Sequence, residues 1–263
     1  MQVMPRNLPV DAVLFDLDGT LLHTAPDISR ALNRALADCG MPALSAEVIE
    51  TLIGGGSALL VERALALLGT AGIAGIAGET HSRDLVLRRY EWCYEAICQS
   101  ADGHQGRLCP GVEAALDGLR QMGLKLGVVT NKEMRFVAPL LQRFGLSAWF
   151  DIVVDGDTLA QRKPDPAPLL HACDALAVEP AHALFVGDSV NDALAAQAAG
   201  MSMICVSYGY SADHPVATLP CLRVIDDLGE LPELVGGPRE WRQPMRGTYR
   251  ASAGRADSVA DLI

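Results

Sequence analysis

The sequence predicts an α/β fold: a Rossmann-like parallel-sheet core with helices on both faces, plus an inserted α-helical cap domain. Three observations lead there. Short apolar runs alternate with longer helical patterns, which is how successive βα units read. Four of the runs stop at a polar group, namely Asp16, Thr130, Asp155 and Asp188. One connection, from about residue 26 to 107, shows helical periodicity without a strand pattern and is too long for a simple crossover.

The first run, Ala12-Val13-Leu14-Phe15, is continuous in its apolar character, as a strand buried on both faces must be. Three helical stripes follow. Ile28, Ala31, Leu32, Ala35 and Leu36 form the first, Leu59, Leu60, Ala64, Leu67 and Leu68 the second, and Leu85, Val86, Tyr90, Cys93, Tyr94 and Ile97 the third. Gly54-Gly55-Gly56 breaks these helices. Gly69 to Gly78, with its Ala-Gly-Ile repetition, reads as a flexible loop. Leu124 to Val129, Ile152-Val153-Val154, Ala183 to Val186 and Met203 to Val206 are the remaining strands. From Gly236 onward the chain is rich in Arg, Gly, Ser and Pro and is expected to be loosely ordered. The division that results is a core of residues 1–25 and 108–235, a cap of 26–107 and a tail of 236–263.

The chain has 263 residues, 50% hydrophobic and 20% charged, which suits a soluble globular protein with room for one large and one smaller domain. A net charge of -11 argues against nucleic acid or an anionic membrane as partner. No apolar stretch approaches the roughly 20 residues needed to span a bilayer, and no signal-peptide pattern opens the chain. A cytoplasmic location is expected. Seven cysteines without a C-x-x-C pair read as buried thiols in a reducing compartment.

Ligands of open α/β sheets bind beyond the carboxyl ends of the strands, so the polar strand ends are expected to share one crevice. Asp16 and Asp18 flank Leu17 at the first of these ends. Two carboxylates so close repel each other unless a cation or a proton separates them.

Asp16-Leu17-Asp18-Gly19-Thr20-Leu21 is followed, in order, by Thr130-Asn131-Lys132, Lys163-Pro164-Asp165-Pro166 and Gly187-Asp188-Ser189-Val190-Asn191-Asp192. Over roughly residues 10 to 230 this set resembles the motifs of the haloacid-dehalogenase-like hydrolase superfamily. The resemblance implies phosphoryl transfer, with Asp16 as nucleophile and Asp18 as general acid and base. It assigns the transferring phosphate to Thr130, the Asn131 amide and Lys163. It implies Mg²⁺ as cofactor, held by Asp16, Asp188 and the Asp18 backbone carbonyl. Asp192 then stands behind the metal, or is simply the first-turn acid of a helix. Thr20 is expected to hold the turn after the nucleophile. Lys132 faces either substrate or solvent. His23 stands where many relatives carry an acid, and reads as a surface or turn histidine.

Dehalogenases lack the second aspartate, and phosphonatases replace it and use a lysine of the insert. Here Asp18 is present and the insert contains no lysine, so both are disfavoured. The position of the insert, Thr130-Asn131-Lys132 and Ser207-Tyr208-Gly209-Tyr210 resemble the phosphoglycolate phosphatase family, which implies a small phosphorylated metabolite, 2-phosphoglycolate, as substrate. That family usually has Pro after the triplet; here the residue is Glu133. A pyrophosphatase or broad small-metabolite phosphatase, a phosphosugar mutase and a non-catalytic binding protein are the other readings. The last of these predicts loss of the nucleophile or a metal acid, and none is lost. Ile53 to Ser57 is either a substrate-specificity loop or a plain helix break.

Overall fold

In the computed structural model, residues 10–69, 79–100, 103–211 and 216–236 are described. Most of the Ala-Gly-Ile loop and the tail from residue 237 lie outside the described residues. Six parallel strands form one sheet: β1 (Ala12–Phe15), β4 (Lys125–Val129), β5 (Ile152–Val154), β6 (Ala183–Gly187), β7 (Ser202–Val206) and β8 (Arg223–Ile225), in the order β5-β4-β1-β6-β7-β8. The first strand in sequence is therefore central. The chain builds outward to one side of β1, then crosses back to the other side, and this reversal opens a crevice at the carboxyl end of β1.

The alternation of side chains along β1 explains its unbroken apolar run. Val13 and Phe15 face one core layer and Ala12 and Leu14 the other. On the first face pack α5 (Val112–Gln121), α6 (Met134–Arg143) and α9 (Leu231–Gly236), through Leu116, Phe136, Leu140 and Leu231. On the second pack α7 (Ala167–Leu176) and α8 (Val190–Ala198), through Leu169, Ala172 and Ala193. Burying each such large aliphatic side chain contributes about 1.5–3 kcal/mol.

Between β1 and β4 the chain forms β2 (Leu22–His23), four helices and β3 (Arg107–Leu108). The two short strands pair antiparallel, Leu22 with Leu108 and His23 with Arg107, so the insert leaves and re-enters the core at one place. Its helices are α1 (Ala25–Asp38), α2 (Ala46–Glu50), α3 (Ser57–Leu67) and α4 (Glu79–Gln99). Every member of the α1 stripe is buried. The other two stripes are narrower than the sequence pattern suggests. Leu67 and Leu85 are exposed, while Val61 and Leu65 of α3 turn inward. All seven cysteines are free thiols, five of them buried.

The insert meets the core at named points. Tyr94 of α4 packs edge-on against Phe136 of α6, ring centres 4.9 Å apart, and Arg135 of α6 pairs with Glu91 of α4. Asn131 and Asn191 donate from Nδ2 to the Gly54 carbonyl at 3.0 and 3.3 Å. Gly56, at φ +84°, lies so close to the core that a Cβ there would stand 2.5 Å from the Arg162 guanidinium. The triple glycine is therefore more than a helix break, because it lets backbone of the insert touch core loops.

Glu133 closes this contact. The N–H of Ser57, first residue of α3, donates to Glu133 Oε1 at 3.1 Å, and the Ser57 hydroxyl donates to Oε2 at 2.9 Å. Both residues are buried. Arg162 lies 3.6 Å from Oε1. Replacing Glu133 with Ala leaves two buried Ser57 donors without an acceptor, at a cost of about 1–3 kcal/mol. Urea unfolding of Glu133→Ala is expected to show a lower midpoint with an unchanged slope. A midpoint equal to wild type would remove Glu133 as a clasp between insert and core.

Candidate active site

Three adjacent strands deliver the site. β1 ends immediately before Asp16, β4 immediately before Thr130, and β6 immediately before Asp188. The chain turns sharply after Asp16. Gly19 sits at φ +81°, and a Cβ there would approach Asp188 Oδ2 to 2.5 Å. Glycine is required to pass two acid-bearing loops this closely. The turn is fixed from Thr20, whose buried hydroxyl donates to Asp188 Oδ1 at 2.9 Å, and from Tyr208, whose hydroxyl donates to the Thr20 carbonyl at 3.0 Å.

Lys163 lies between two acids. Its Nζ is 2.9 Å from Asp16 Oδ1 and 2.7 Å from Asp192 Oδ1, and all three residues are buried. Burial alone would push the Lys163 ammonium toward its neutral form, but Asp16 and Asp192 outweigh it and raise its pKa. The Lys163 backbone is held by Asn131, which accepts from its N–H through Oδ1 and donates to its carbonyl through Nδ2, both at 2.8 Å. The Asn131 side chain is thus a strut between the Lys163 loop and the Gly54 turn.

Asp192 serves its own helix as well. Its Oδ2 accepts from the N–H groups of Asp188 and Ser189 at 3.1 and 3.0 Å and from the Ser189 hydroxyl at 2.8 Å. Ser189 and Asp192 form a reciprocal cap on α8. The two sequence readings of Asp192 are therefore compatible: one oxygen caps a helix and the other carries Lys163.

Asp18 is held from two sides. Thr24 Oγ1 donates to its Oδ1 at 2.6 Å, and Lys132 Nζ reaches Oδ1 at 3.0 Å and Oδ2 at 2.8 Å. Lys132 faces inward, buried, with its ammonium 4.6 Å from the ring centre of Tyr94 in α4. The Thr130 hydroxyl accepts from the Lys132 N–H at 3.2 Å. Asp155 does not join the crevice. Its Oδ1 accepts from Asp157 N–H and the Thr158 hydroxyl, closing its own turn after β5.

Some contributors leave little trace in sequence. Tyr210 N–H donates to Asp188 Oδ2 at 2.6 Å, and its hydroxyl accepts from the N–H groups of Thr24 and Ala25 at 2.9 and 3.0 Å. Its own proton is left for His23 Nδ1, 3.2 Å away. Burial, with Arg107 adding, lowers the His23 pKa. His23 thus sits in the β2–β3 pair where the insert joins the core.

Asp16, Asp188 and Asp192 present carboxylate oxygens within 4.8 Å of one another, all buried. Burial pushes Asp16 up to about 6, with Asp192 and Asp18 adding to it against the pull of Lys163. Burial raises Asp188 well above the carboxylate range, with Asp192 and Asp16 contributing. Asp16 Oδ1 is held by the Lys163 charge without a well-directed hydrogen bond. This donor set fits a hard divalent cation, which takes oxygen ligands and relieves the repulsion. Asp192 spends Oδ1 on the Lys163 ammonium and Oδ2 on three donors, whereas the partners of Asp188, the Thr20 hydroxyl and the Tyr210 N–H, are neutral.

Residues 10–200 match the model of the haloacid dehalogenase-like hydrolase family. The phosphoglycolate phosphatase of Nitrosospira multiformis is 44% identical over 228 residues, covering 87% of this chain and 96% of that protein. The plasmid-borne phosphoglycolate phosphatase of Cupriavidus necator is 43% identical over 229 residues, covering 87% and 94%. Among solved structures, a predicted phosphoglycolate phosphatase from Haemophilus somnus superposes with a TM-score of 0.78 at 31% identity, over 88% of this chain and 99% of its own. CbbY from Rhodobacter sphaeroides, solved with xylulose-(1,5)-bisphosphate, gives 0.69 at 27% identity over 84% and 96%.

The acid cluster makes stability depend on pH and cation together. Asp16 holds its proton more tightly in the folded chain, at about 6, than at the ordinary value of 3.8. Without a cation, its contribution to stability falls as pH rises from 3.8 through about 6, and Asp188 acts in the same direction. A cation bound by the ionised acids reverses this loss. Adding Mg²⁺ to EDTA-treated protein should therefore raise the melting temperature more at pH 7 than at pH 5. Equal gains at both values, read by calorimetry, would contradict cation binding at these carboxylates.

Proposed function

The chain belongs to the haloacid dehalogenase-like hydrolase family and is a phosphatase; we propose that it hydrolyses 2-phosphoglycolate to glycolate and phosphate with Mg²⁺ as cofactor and an aspartyl phosphate as intermediate. One observation carries the mechanism. The carboxyl ends of three neighbouring strands bring Asp16, Thr130 and Asp188 together, with the Lys163 ammonium against Asp16. The substrate reading rests on the named relatives, which align over nearly their whole length.

Uncatalysed phosphate-ester hydrolysis is so slow that enzymes accelerate it by up to ~10²¹-fold. In the proposed first step, an Asp16 carboxylate oxygen attacks phosphorus and the bond to the glycolate oxygen breaks. Asp18 delivers a proton to that oxygen. In the second, Asp18 takes a proton from water, which attacks the acyl phosphate and releases inorganic phosphate. Thr24 and Lys132 hold Asp18 in one orientation for both transfers. The Thr130 hydroxyl, the Asn131 amide and the Lys163 ammonium receive the transferring oxygens. Asp192 and Asn131 hold Lys163 for this role. Asp16, Asp188 and the Asp18 carbonyl would hold Mg²⁺, which when bound neutralises charge between the carboxylate and the anionic phosphoryl group.

We take residues 26–107 as a cap over a core of 1–25 and 108–235. The cavity between them has a volume of about 30 Å³ and is lined from both sides, by Asp16, Asp18 and Thr130 and by Ile53, Gly54 and Ser57. That space holds about two waters. A substrate would lie between cap and core, where movement of the cap would exclude water from the reaction. Among the described residues no helix is long and apolar enough to cross a membrane.

Phosphate release with Mg²⁺ from 2-phosphoglycolate, xylulose-1,5-bisphosphate, other sugar phosphates, pyrophosphate and nucleotides tests the assignment. The expected result is highest kcat/KM for 2-phosphoglycolate. Its placement among the poorest substrates, or an isomerised sugar phosphate without free phosphate, would overturn the reading. Asp16→Asn should abolish turnover while the fold is largely kept, and activity within tenfold of wild type would remove Asp16 as nucleophile. Asp18→Asn should lose turnover severely, and near-normal turnover would remove its proton-transfer role.

A further inference from the structure

Lys132 is a buried ammonium that the phosphoryl chemistry leaves without a ligand role. It is the cationic side chain among the residues that line the cavity between cap and core. The other cations nearby are engaged elsewhere. Lys163 is spent on Asp16 and Asp192. Arg162 is held by the Gly156 carbonyl, Glu133 and Asp157. Lys132 gives two of its three N–H groups to the oxygens of Asp18, which leaves one for a ligand. Its ammonium is steadied by the Tyr94 ring at 4.6 Å.

We infer that Lys132 binds the carboxylate of the substrate and makes the enzyme selective for phosphate esters of small 2-hydroxy acids. The inference rests on the 2-phosphoglycolate reading and gives it a residue. Its argument is one of connectivity. In such an ester a single carbon separates the ester oxygen from the carboxylate carbon. The group that hands a proton to that oxygen and the group that binds the carboxylate must then be close neighbours. Asp18 and Lys132 are in contact at 2.8 Å. The remaining lining makes a cation necessary. Ile28, Ile53, Leu60 and Tyr90 offer apolar surface, Ser57 and Asn131 spend their side-chain donors on Glu133, Gly54 and Lys163, and Glu133 presents a third carboxylate beside Asp16 and Asp18. A buried, unpaired substrate carboxylate would be strongly disfavoured there.

The test separates binding of the carboxylate from support of Asp18. Wild type, Lys132→Met and Lys132→Arg are compared on 2-phosphoglycolate and on 2-hydroxyethyl phosphate, in which a hydroxymethyl group replaces the carboxylate. Loss of support for Asp18 lowers both substrates alike. Loss of carboxylate binding lowers only the first. Wild type should prefer 2-phosphoglycolate by on the order of 100-fold in kcat/KM, as a charge-assisted contact allows. Lys132→Met should reduce that preference to within about threefold, and Lys132→Arg should restore at least a tenfold preference. Equal proportional losses on both substrates, with the wild-type preference intact, would overturn the role of Lys132 and leave the substrate reading standing. A wild type without preference would overturn both. Should Lys132→Met fail to fold by circular dichroism, Lys132→Gln is read in its place against the same criteria.

Discussion

The structure is organised around one costly object, a buried ammonium between buried carboxylates. Lys163 touches Asp16 and Asp192, and Asp188 stands beside them, with almost no solvent at any of the four. Charges so placed lose their hydration and are tolerated only with near-ideal partners. Each neighbouring element supplies one. Asp188 and Ser189, just ahead of α8, offer their N–H groups to Asp192, Tyr210 offers its N–H to Asp188, and Asn131 fixes the Lys163 loop. Removing any of these strands a charge in the interior, so the loops after β1, β4 and β6 and the residues after β7 hold one another in place.

The insert is tied into the same network. Tyr210 binds the first turn of α1 through Thr24 and Ala25 while holding Asp188. Asn131 holds the Lys163 loop and also the Gly54 carbonyl. Glu133, next but one in sequence, clasps the start of α3. The loop that follows β4 therefore links the position of the insert directly to Lys163 and its acid partners. Such bonds join two discrete packings more readily than a continuum of positions.

The sequence disclosed most where physics acts locally. A strand buried on both faces has to be apolar throughout, so β1, β4, β6 and β7 stood out as runs, and their polar ends marked the crevice. Two-residue strands have no period to detect, and β2 and β3 went unseen. β8 begins at Arg223 and is three residues long, too short and too mixed to stand out as an apolar run. Leu67 and Leu85 continued helical stripes but lie beyond the packed arc. Asp155 ended a run like the others, yet its short turn satisfies it locally. Glu133 was visible only as a departure from the Pro that relatives carry. Its partner Ser57 is 76 residues away, and Tyr210 binds Thr24 across 186. Contacts of that separation have no signature in composition or spacing.

Charge balance connects these parts. The cavity and its immediate surroundings carry the carboxylates of Asp16, Asp18, Glu133, Asp188 and Asp192, against the ammoniums of Lys132 and Lys163 and the guanidinium of Arg162. A phosphorylated acid brings further negative charge into a space that already has an excess of it. Lys163 and Arg162 cannot offset that, because both are already spent on carboxylates. Under the proposed reading, a divalent cation at Asp16 and Asp188 would supply the missing charge at the phosphoryl end. At the other end no such ion is called for, because Lys132 can share its ammonium between Asp18 and an incoming carboxylate. The two ends of a short dianionic or trianionic substrate would thus be neutralised by different means, one by a metal and one by a side chain. An ester lacking the second charge would leave Lys132 wholly on Asp18, so selectivity at the far end follows from the same excess of buried carboxylate that creates the metal site.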